Sequence, residues 1–390
     1  MKKKLFLLPF YSLSLFGYNL ETYIESWDYN NQPSQPITSC LTAVQNIPAT
    51  VTDYQNIVFD LAFAQFNTTI GTGLQLSNGI TIANIKNAIP SPGKLKLSFG
   101  GASGDYYFSE LETSDYSTFA ANLGDYLSQN NLDGVDFDIE GQPPTGTSQT
   151  QYAQNIYTFL LDVRDEVTGT ISVTIPGQGW NAYWQYLVQQ VLAYEKANNT
   201  TIVDYWNFME YDIWVAPGLT FPQQIIADIQ TYTGATNTNP GPNGAPGWGV
   251  PSEKIQLGLM IGVDDEGNTL SVQDVLGLID NCVIKYNLYG VMTWDLDRDA
   301  LNLGASPPLL SNLTPPITTP YSYFTNIYQA LNAASDAEQN GEALPRKIKT
   351  SSRKPRRFNI EYPPFKRSTT QRQDCPPVLL NIEQPPAAGL

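Results

Sequence analysis

Short runs of apolar and β-branched residues alternate along most of the chain with longer segments that have helical periodicity. Eight of these runs predict strands, at residues 21–27, 56–63, 94–99, 134–139, 171–175, 206–211, 254–259 and 290–293. Their starts are mostly 34 to 40 residues apart, with one gap nearer 50, so each interval has room for one helix and two loops. Eight such units predict an α/β protein, a closed parallel (β/α)8 TIM barrel, rather than an open sheet.

The connecting segments show where the helices lie. Residues 115–130 carry apolar side chains at helical spacing, with Asp115 or Ser117 as the predicted N-cap. The last predicted helix is 321–334. Residues 233–251 are dense in Gly, Pro and Asn, which predicts a surface loop between the sixth and seventh strands.

The two ends of the chain differ from the barrel, which is predicted to span residues 18–336. In residues 1–17 three lysines precede an apolar stretch, which is the layout of a signal peptide and predicts secretion. An uncleaved segment packed on the body is the alternative. Residues 337–390 form a Pro-rich basic tail that we expect to be disordered. This tail could contact an anionic surface or a larger assembly, or simply be solvated.

The amino-acid composition excludes several kinds of catalytic and metal site. The chain contains no histidine, which excludes Ser-His-Asp triads, Cys-His dyads and histidine-bound zinc. The net charge is −16, although residues 346–390 hold 10 basic and only 3 acidic residues. An acidic body does not suit nucleic acid, whereas a neutral polymer such as a polysaccharide is compatible with it. No run of 18 apolar residues exists, so we expect no membrane span.

The fourth predicted strand carries the strongest signal, because carboxylates and apolar residues alternate along it. The alternation divides it into an inward acidic face and an outward apolar face: Asp136, Asp138 and Glu140 against Val135, Phe137 and Ile139. Barrel interiors are normally filled with Val, Ile and Leu, so three buried acids at the carboxyl end of a strand indicate a functional site. The alternatives are an exposed acidic strand end and a magnesium or calcium site.

The segment 133–140 resembles the D-G-x-D-x-D-x-E signature of glycoside hydrolase family 18, the chitinase-like hydrolases. Ser98-Phe99-Gly100-Gly101 is similar to the family's S-x-G-G motif, and Met209-Glu210-Tyr211-Asp212 to its M-x-Y-D pattern. Trp294 ends the eighth strand, where the family keeps a tryptophan under the reacting sugar. The resemblance covers about residues 18–335.

Glycoside hydrolysis needs a proton donor for the leaving oxygen, and Glu140, next to other acids, is placed to be that acid. No second carboxylate is evident as a nucleophile. The resemblance implies that the substrate's own 2-acetamido oxygen attacks instead, with Asp138 orienting the acetamido group. It further implies that Asp136 shares a proton with Asp138, supported by Ser98, and that Tyr211 donates to the acetamido oxygen.

The resemblance also implies a set of substrate-binding residues. Asp212 would contact the sugar, and Met209 and Trp294 would form the floor. Gly101, Trp214, Trp180 and Gln178 complete the predicted set. Gly100 and Gly101 could instead simply allow close backbone packing. Further aromatic residues are candidates for sugar-stacking platforms: Trp184, Trp248, Tyr106 and Tyr107. Trp184 and Trp206 are equally compatible with core packing, and Asp295, Asp297 and Asp299 are left unassigned.

The substrate implied is a sugar with an N-acetyl group, and chitin or chito-oligosaccharides lead the candidates. Only residues 262–268 separate the seventh strand from its helix, so the α+β insertion of many family members is absent, and an open groove suits endo-type attack. No metal and no cofactor are expected. The alternatives are an endo-β-N-acetylglucosaminidase acting on N-glycans and a catalytically inactive chitin-binding lectin or structural protein.

Overall fold

The computed structural model describes residues 17–27, 39–76, 79–177, 182–234, 247–300 and 319–340. Eight parallel strands form a closed barrel in which each strand pairs with the next in sequence and the eighth with the first. The strands are β1 Asn19–Glu25, β2 Ile57–Ala64, β3 Lys94–Gly100, β4 Gly134–Asp138, β5 Thr170–Pro176, β6 Tyr205–Met209, β7 Ile255–Met260 and β8 Gly290–Trp294. The predicted TIM barrel is confirmed, and every strand begins and ends within two residues of its predicted bounds.

Helices connect the strands. They are α1 Cys40–Gln45, α2 Ile82–Ala88, α3 Tyr116–Gln129, α4 Gln149–Glu166, α5 Ala182–Asn198, α6 Phe221–Thr233, α7 Val272–Leu278, α8 Leu296–Ala300 and α9 Ser322–Gln339. A π-helical turn, Ile279–Ile284, continues α7. Helix α3 agrees with its prediction and begins after Asp115, although the Asp115 side chain makes no capping hydrogen bond.

The last helix is longer than predicted. It ends at Gln339, whereas the sequence pattern placed its end at 334 and the start of the tail at 337. Its final turns are held by polar contacts: the Tyr18 amide donates to Ser335 Oγ at 3.2 Å, and the Tyr18 hydroxyl to Glu338 Oε1 at 2.7 Å. Apolar periodicity cannot reveal a helix end that is held by such bonds.

The two faces of the barrel wall differ sharply. Outward side chains form an apolar layer under the helices, where for example the Phe137 ring lies 5.1 Å from Phe159 and 5.9 Å from Phe99. The interior is instead built largely from buried polar residues on six strands: Glu21, Tyr23, Asp60, Lys96, Ser98, Asp136, Asp138, Ser172, Thr174, Tyr205 and Asn207. A polar interior needs internal hydrogen bonds, because buried polar groups without partners are costly.

The connection from β7 to α7 is short. Only residues 261–271 separate these elements, and a single bridge between Val263 and Thr269 is their strand-like contact. The prediction that this described stretch contains no inserted subdomain is therefore confirmed.

Several predictions fall on residues that the structure does not describe: the signal peptide (apart from Gly17), the tail beyond 340, and most of the loop 233–251. Gln178 and Trp180 also lie outside the described residues. Secretion, the order of the tail and its contacts thus stay predictions. Within the part of the chain that is described, no helix is both long enough and apolar enough to cross a membrane.

Candidate active site

The first two residues of the fourth-strand motif hold β4 in place. Asp133 Oδ2 accepts the Leu95 amide at 2.7 Å and pairs with Lys86, which ties the start of β4 to β3 and α2. A Cβ at Gly134 would lie 2.1 Å from the Thr170 carbonyl oxygen on β5, so only glycine fits there. These residues are structural and set the register of the acidic residues that follow.

Asp136 is fully buried and accepts hydrogen bonds from hydroxyl groups on three other strands, β1, β3 and β5. Tyr23 and Ser98 each donate to Oδ2 at 2.8 Å. Ser172 and Thr174 donate to Oδ1 at 2.6 and 3.0 Å. Four donors on one carboxylate favour its ionised form. The predicted contact between Ser98 and Asp136 is present.

Burial nevertheless raises the pKa of Asp136 above its ordinary value of 3.8. The charge of Lys96 and the hydroxyls of Ser172 and Ser98 oppose this effect, whereas the charge of Glu21 adds to it. Asp136 is thus a buried carboxyl whose surroundings partly offset the cost of ionisation.

Asp138 lies one inward position further along β4, and it is only 4% exposed. Its Oδ1 has no hydrogen-bond partner among the described residues. Burial, with the charges of Glu140 and Asp136, raises the pKa of Asp138 well above its ordinary value. Of the two buried carboxyls, Asp138 therefore holds its proton to higher pH than Asp136 does.

Tyr211 follows β6 and lies close enough to both outer carboxyls to respond to their charge. Burial, then Asp138, Glu140 and Asp212, raises the pKa of the Tyr211 hydroxyl well above 10.0. The hydroxyl is therefore a neutral donor beside Asp138 and half-buried Glu140. These three groups come together at the carboxyl end of the barrel.

Asp212 joins two loops at this end. It has a left-handed backbone with φ of 54°. Its amide donates to Asp264 Oδ2 at 2.9 Å, and its Oδ1 accepts the Asp265 amide at 2.6 Å. Burial raises the pKa of Asp212 to about 6, against the lowering effect of the Asp265 amide. The predicted sugar contact of Asp212 stays a prediction.

An apolar and aromatic floor surrounds the carboxyls. Its buried members come from five strands and the loops that follow them: Tyr23, Ala62, Phe63, Met209, Tyr211, Met260 and Met292, with Trp27, Tyr106 and Trp294 packed at the rim. Trp294 stacks on Phe63 with ring centroids 5.4 Å apart and an angle of 7°. Both Met209 and Trp294 belong to this floor, and their predicted place under the reacting sugar stays a prediction. The other members of the floor were not predicted as a group.

The two glycines after Ser98 have separate steric reasons. Gly100 has φ of 112°, and a Cβ there would lie 1.9 Å from the Asp138 carbonyl oxygen. Gly101 has φ of 90°, and a Cβ would lie 2.7 Å from the Phe63 ring. The alternative of close backbone packing therefore accounts for both, and the predicted role of Gly101 in binding substrate stays a prediction.

The other tryptophans separate into exposed and core positions. Trp214, after β6, is 50% exposed, as a sugar platform requires. Trp248 is buried, with its ring 5.7 Å from Phe208 and 5.1 Å from Tyr232, so its prediction as a platform was wrong. Trp184 is also buried and donates to the Ile139 carbonyl at 2.9 Å, and Trp206 is a core residue.

The three aspartates after Trp294 hold the loop around α8. Asp295 pairs with Arg298 at 3.4 Å. Asp297 Oδ2 accepts the Glu25 amide at 2.8 Å, and Asp299 Oδ2 accepts the Phe324 amide at the start of α9 at 2.8 Å. Each carboxylate thus has a structural partner.

Sequence reasoning missed the polar groups below the carboxyls. Glu21, Asp60, Lys96 and Tyr205 form a second layer inside the barrel, the lower charged layer, and none is more than 1% exposed. Polar residues at alternate positions of β1 and β3 were the available signal, the same one that identified β4. Among the described residues, no three His, Cys, Asp or Glu side chains converge as metal ligands.

Comparisons with known proteins agree with the geometry. The sequence profile described as "Glycosyl hydrolases family 18" matches residues 19–259. A family GH18 chitinase from Chromobacterium violaceum is similar in structure, with a TM-score of 0.56, 14% identity, and coverage of 81% of this chain and 83% of that one. Active domain 2 of a chitinase from Pyrococcus furiosus gives a TM-score of 0.51 at 16% identity, and covers 82% of this chain and 96% of its own.

No curated protein sequence matches this chain. At such low identity the structural likeness supports the barrel fold, and the family profile supplies the assignment. Since that profile spans more than half of the chain, the protein belongs to glycosyl hydrolase family 18 and is a chitinase-like glycoside hydrolase.

Proposed function

We propose that the protein is an endo-acting chitinase that hydrolyses β-1,4-linked N-acetylglucosamine polymers by a substrate-assisted, retaining mechanism. One observation carries the proposal: a buried, hydroxyl-bound Asp136, a buried Asp138 with a raised pKa and a half-buried Glu140 follow one another at the carboxyl end of β4. Barrel enzymes bind substrate at this end.

Glu140 acts as the general acid in this proposal. It is the outermost of the three carboxyls and retains contact with solvent. It protonates the glycosidic oxygen as the bond to the anomeric carbon breaks, and the resulting carboxylate activates the water that completes hydrolysis.

Asp138 works on the other side of the reacting carbon. The acetamido oxygen attacks that carbon and forms a cyclic intermediate, so positive charge develops on the acetamido group. The carbonyl oxygen of a protonated Asp138 can accept the acetamido N–H, which orients the group and stabilises the positive charge that develops on it. Tyr211, a neutral hydroxyl beside Asp138, would donate to the acetamido oxygen and align it.

The floor supports the same substrate class. Trp294 rests on Phe63 and presents an aromatic surface of the kind on which the apolar face of a pyranose ring packs. Met209, buried beside Tyr211 in the same cluster, shapes the floor. The short connection 261–271 adds no wall to one side of the groove, which favours binding within a long polymer rather than at its end.

The test is product analysis by mass spectrometry after incubation with N-acetyl-chitotetraose and, separately, with a high-mannose glycopeptide. Cleavage of the oligomer to shorter chito-oligosaccharides supports the proposal. Release of the glycan with one N-acetylglucosamine left on the peptide would instead identify an endo-β-N-acetylglucosaminidase. Binding of both without cleavage would identify an inactive sugar-binding protein.

A matched substrate isolates the mechanism. The same oligomer without its N-acetyl groups offers identical glycosidic bonds but no internal nucleophile. We expect no cleavage of it, and cleavage at a comparable rate would contradict substrate assistance.

A further inference from the structure

The lower charged layer is connected to the β4 carboxyls by hydrogen bonds. In the sheet register Lys96 pairs with Gly134, and Ser98 with Asp136, so Lys96 lies one inward position below Asp136. A lysine ammonium is rarely fully buried unless it is paired, and here it lies 3.0 Å from Glu21 Oε1 and 3.3 Å from Asp60 Oδ1.

The hydrogens of Lys96 are fully used. Its Nζ contacts Glu21 Oε1 at 3.0 Å, Ser172 Oγ at 2.5 Å and the Tyr205 hydroxyl oxygen at 3.0 Å. An ammonium has three hydrogens and no acceptor, so Lys96 donates in all three bonds. Tyr205 then donates its own hydrogen to Glu21 Oε2 at 2.5 Å.

This fixes the direction of the next bond. Ser172 Oγ accepts from Lys96, and its single hydrogen is donated to Asp136 Oδ1 at 2.6 Å. The ammonium therefore acts on Asp136 through one oriented hydroxyl. A hydroxyl that accepts from a cation is polarised and becomes a stronger donor.

A second path reaches the same oxygen. Asn207 Nδ2 donates to Glu21 Oε1 at 2.8 Å and to Thr174 Oγ1 at 2.9 Å. Thr174 Oγ1 lies 3.0 Å from Asp136 Oδ1 and 2.7 Å from the Tyr23 hydroxyl, which itself donates to Oδ2. Both paths begin at Glu21 and meet at Asp136 Oδ1.

Most of the ionisable groups around Asp136 are acidic. The titratable groups that face it are Glu21 and Tyr23 on β1, Asp60 on β2, Lys96 on β3 and Asp138 on β4. Lys96 is the one cation among these described groups. It therefore opposes the repulsion that the carboxyls exert on an ionised Asp136.

We propose that Lys96 and Ser172 are positioning residues for the hydrolysis: acting through Ser172, Lys96 keeps Asp136 ionised, so that the proton of the Asp136–Asp138 pair stays on Asp138. This inference rests on the proposed function. Neither residue touches substrate, and their effect reaches the reaction through the protonation of Asp138, which faces the acetamido group.

The first test removes the link and leaves both charges in place. In Ser172→Ala the anion loses a donor, so the first ionisation of the pair moves to higher pH. We expect the acid limb of the kcat profile on N-acetyl-chitotetraose to move up by about one pH unit, with kcat about tenfold lower and KM within about twofold. Ser172→Thr keeps the hydroxyl and should restore the wild-type limb.

The second test removes the source of the polarisation. Glu21→Gln with Lys96→Met deletes the Glu21–Lys96 ion pair as a unit. The carboxyl that remains in the layer, Asp60, has a pKa that burial already raises well above its ordinary value. We expect the same loss of kcat with a retained fold by circular dichroism. The matched control is Glu195→Gln with Lys254→Met, an ion pair of 2.7 Å outside the barrel interior, which should keep the wild-type kcat and pH profile.

A wild-type acid limb in Ser172→Ala, or equal defects in the Ala and Thr variants, would overturn the inference while the proposed function stands. Absence of turnover in the wild type would overturn the proposed function. In that case a ¹³C carboxyl titration of Asp136 decides the inference without turnover. We expect the Asp136 transition about one pH unit higher in Ser172→Ala, and an unchanged transition overturns the inference.

Discussion

Two groups of carboxyls lie inside the same barrel, one inward position apart, and they differ in the charge that faces them. In the lower charged layer Glu21 contacts Lys96 and accepts hydrogens from Tyr205 and Asn207. Although burial opposes it, the charge of Lys96 with these donors lowers the pKa of Glu21 to about 2. At the carboxyl end of β4, burial and two neighbouring carboxyls raise the pKa of Asp138.

The difference shows that burial alone does not decide the state of a carboxyl. Glu21 and Asp138 are both fully desolvated, yet the pKa of Glu21 is lowered and that of Asp138 is raised. The lower arrangement supports structure, because its charges are compensated. The upper arrangement holds a proton on Asp138 to higher pH than an exposed carboxyl would, at the end of the barrel where we propose that substrate binds.

The largest expected effect is at the upper group. Glu140→Gln retains the shape of the side chain but removes the proton donor, so turnover of N-acetyl-chitotetraose should fall by about 10³-fold or more while binding persists. Steady-state kinetics and calorimetric titration of the oligomer measure the two quantities. Glu166→Gln, on an exposed turn of α4, is the control and should be wild-type. Near-native turnover of Glu140→Gln would falsify the assignment of the acid.

The next largest effect is expected from removing the cation of the lower charged layer. Lys96→Met alone leaves Glu21 and Asp60 buried without their cation, so the free energy of unfolding should fall by about 3–5 kcal/mol. Urea denaturation at pH 7 measures it. Lys254→Met removes a partly exposed partner of Glu195 and should cost about 1 kcal/mol or less. Equal losses of unfolding free energy in the two variants would mean that Lys96 does not compensate the buried carboxyls of the lower charged layer.

Much of this architecture could be predicted from local sequence. Each strand coincides with a short run rich in apolar and β-branched residues, and three alternating acids identify the inward face of β4. The motif at 98–101 marked a close approach that the steric contacts of Gly100 explain.

The lower charged layer could not be predicted in the same way. Glu21 and Lys96 are 75 residues apart in the chain and meet because β1 and β3 point side chains into one closed barrel. The prediction of Trp248 as a sugar platform was wrong for a related reason. An aromatic residue beside a Gly-rich loop suits a sugar platform or a core equally well, and only packing against Tyr232 distinguishes them.

A smaller expected effect is on the pH dependence of stability, which should have opposite signs for Asp138 and Glu21. Since its folded-state pKa lies above 3.8, Asp138 contributes stability at low pH that is lost as the pH rises through the folded value. Asparagine does not ionise, so Asp138→Asn does not lose this stability as the pH rises, and its amide supplies donors to the neighbouring carboxyls. We therefore expect it to stabilise the protein at pH 7 by about 1 kcal/mol while turnover falls severely, a trade-off typical of active sites.

Glu21→Gln should behave in the opposite way. Its folded-state pKa of about 2 lies below 4.5, so its contribution is present above pH 4.5 and is lost as the pH falls towards 2. The variant should be less stable than the wild type at pH 7, and the difference should shrink in acid. Thermal melting of both variants between pH 3 and 8 measures this, and shifts of the same sign at pH 7 would contradict the comparison.

The smallest expected effect lies at the rim, away from both groups. Trp214 is half exposed and belongs to neither carboxyl group, so Trp214→Ala should leave stability and the pH profile unchanged. If its ring stacks on a distant sugar unit, loss of about 1 kcal/mol should raise KM for a long oligomer about fivefold and leave a short one unaffected. Tyr186→Ala, which removes a 44% exposed ring from α5, is the matched control. Because both variants delete a similar exposed surface, a KM that rises in both would point to a general surface effect. A rise confined to Trp214→Ala and to long oligomers would place the groove across the end of β6.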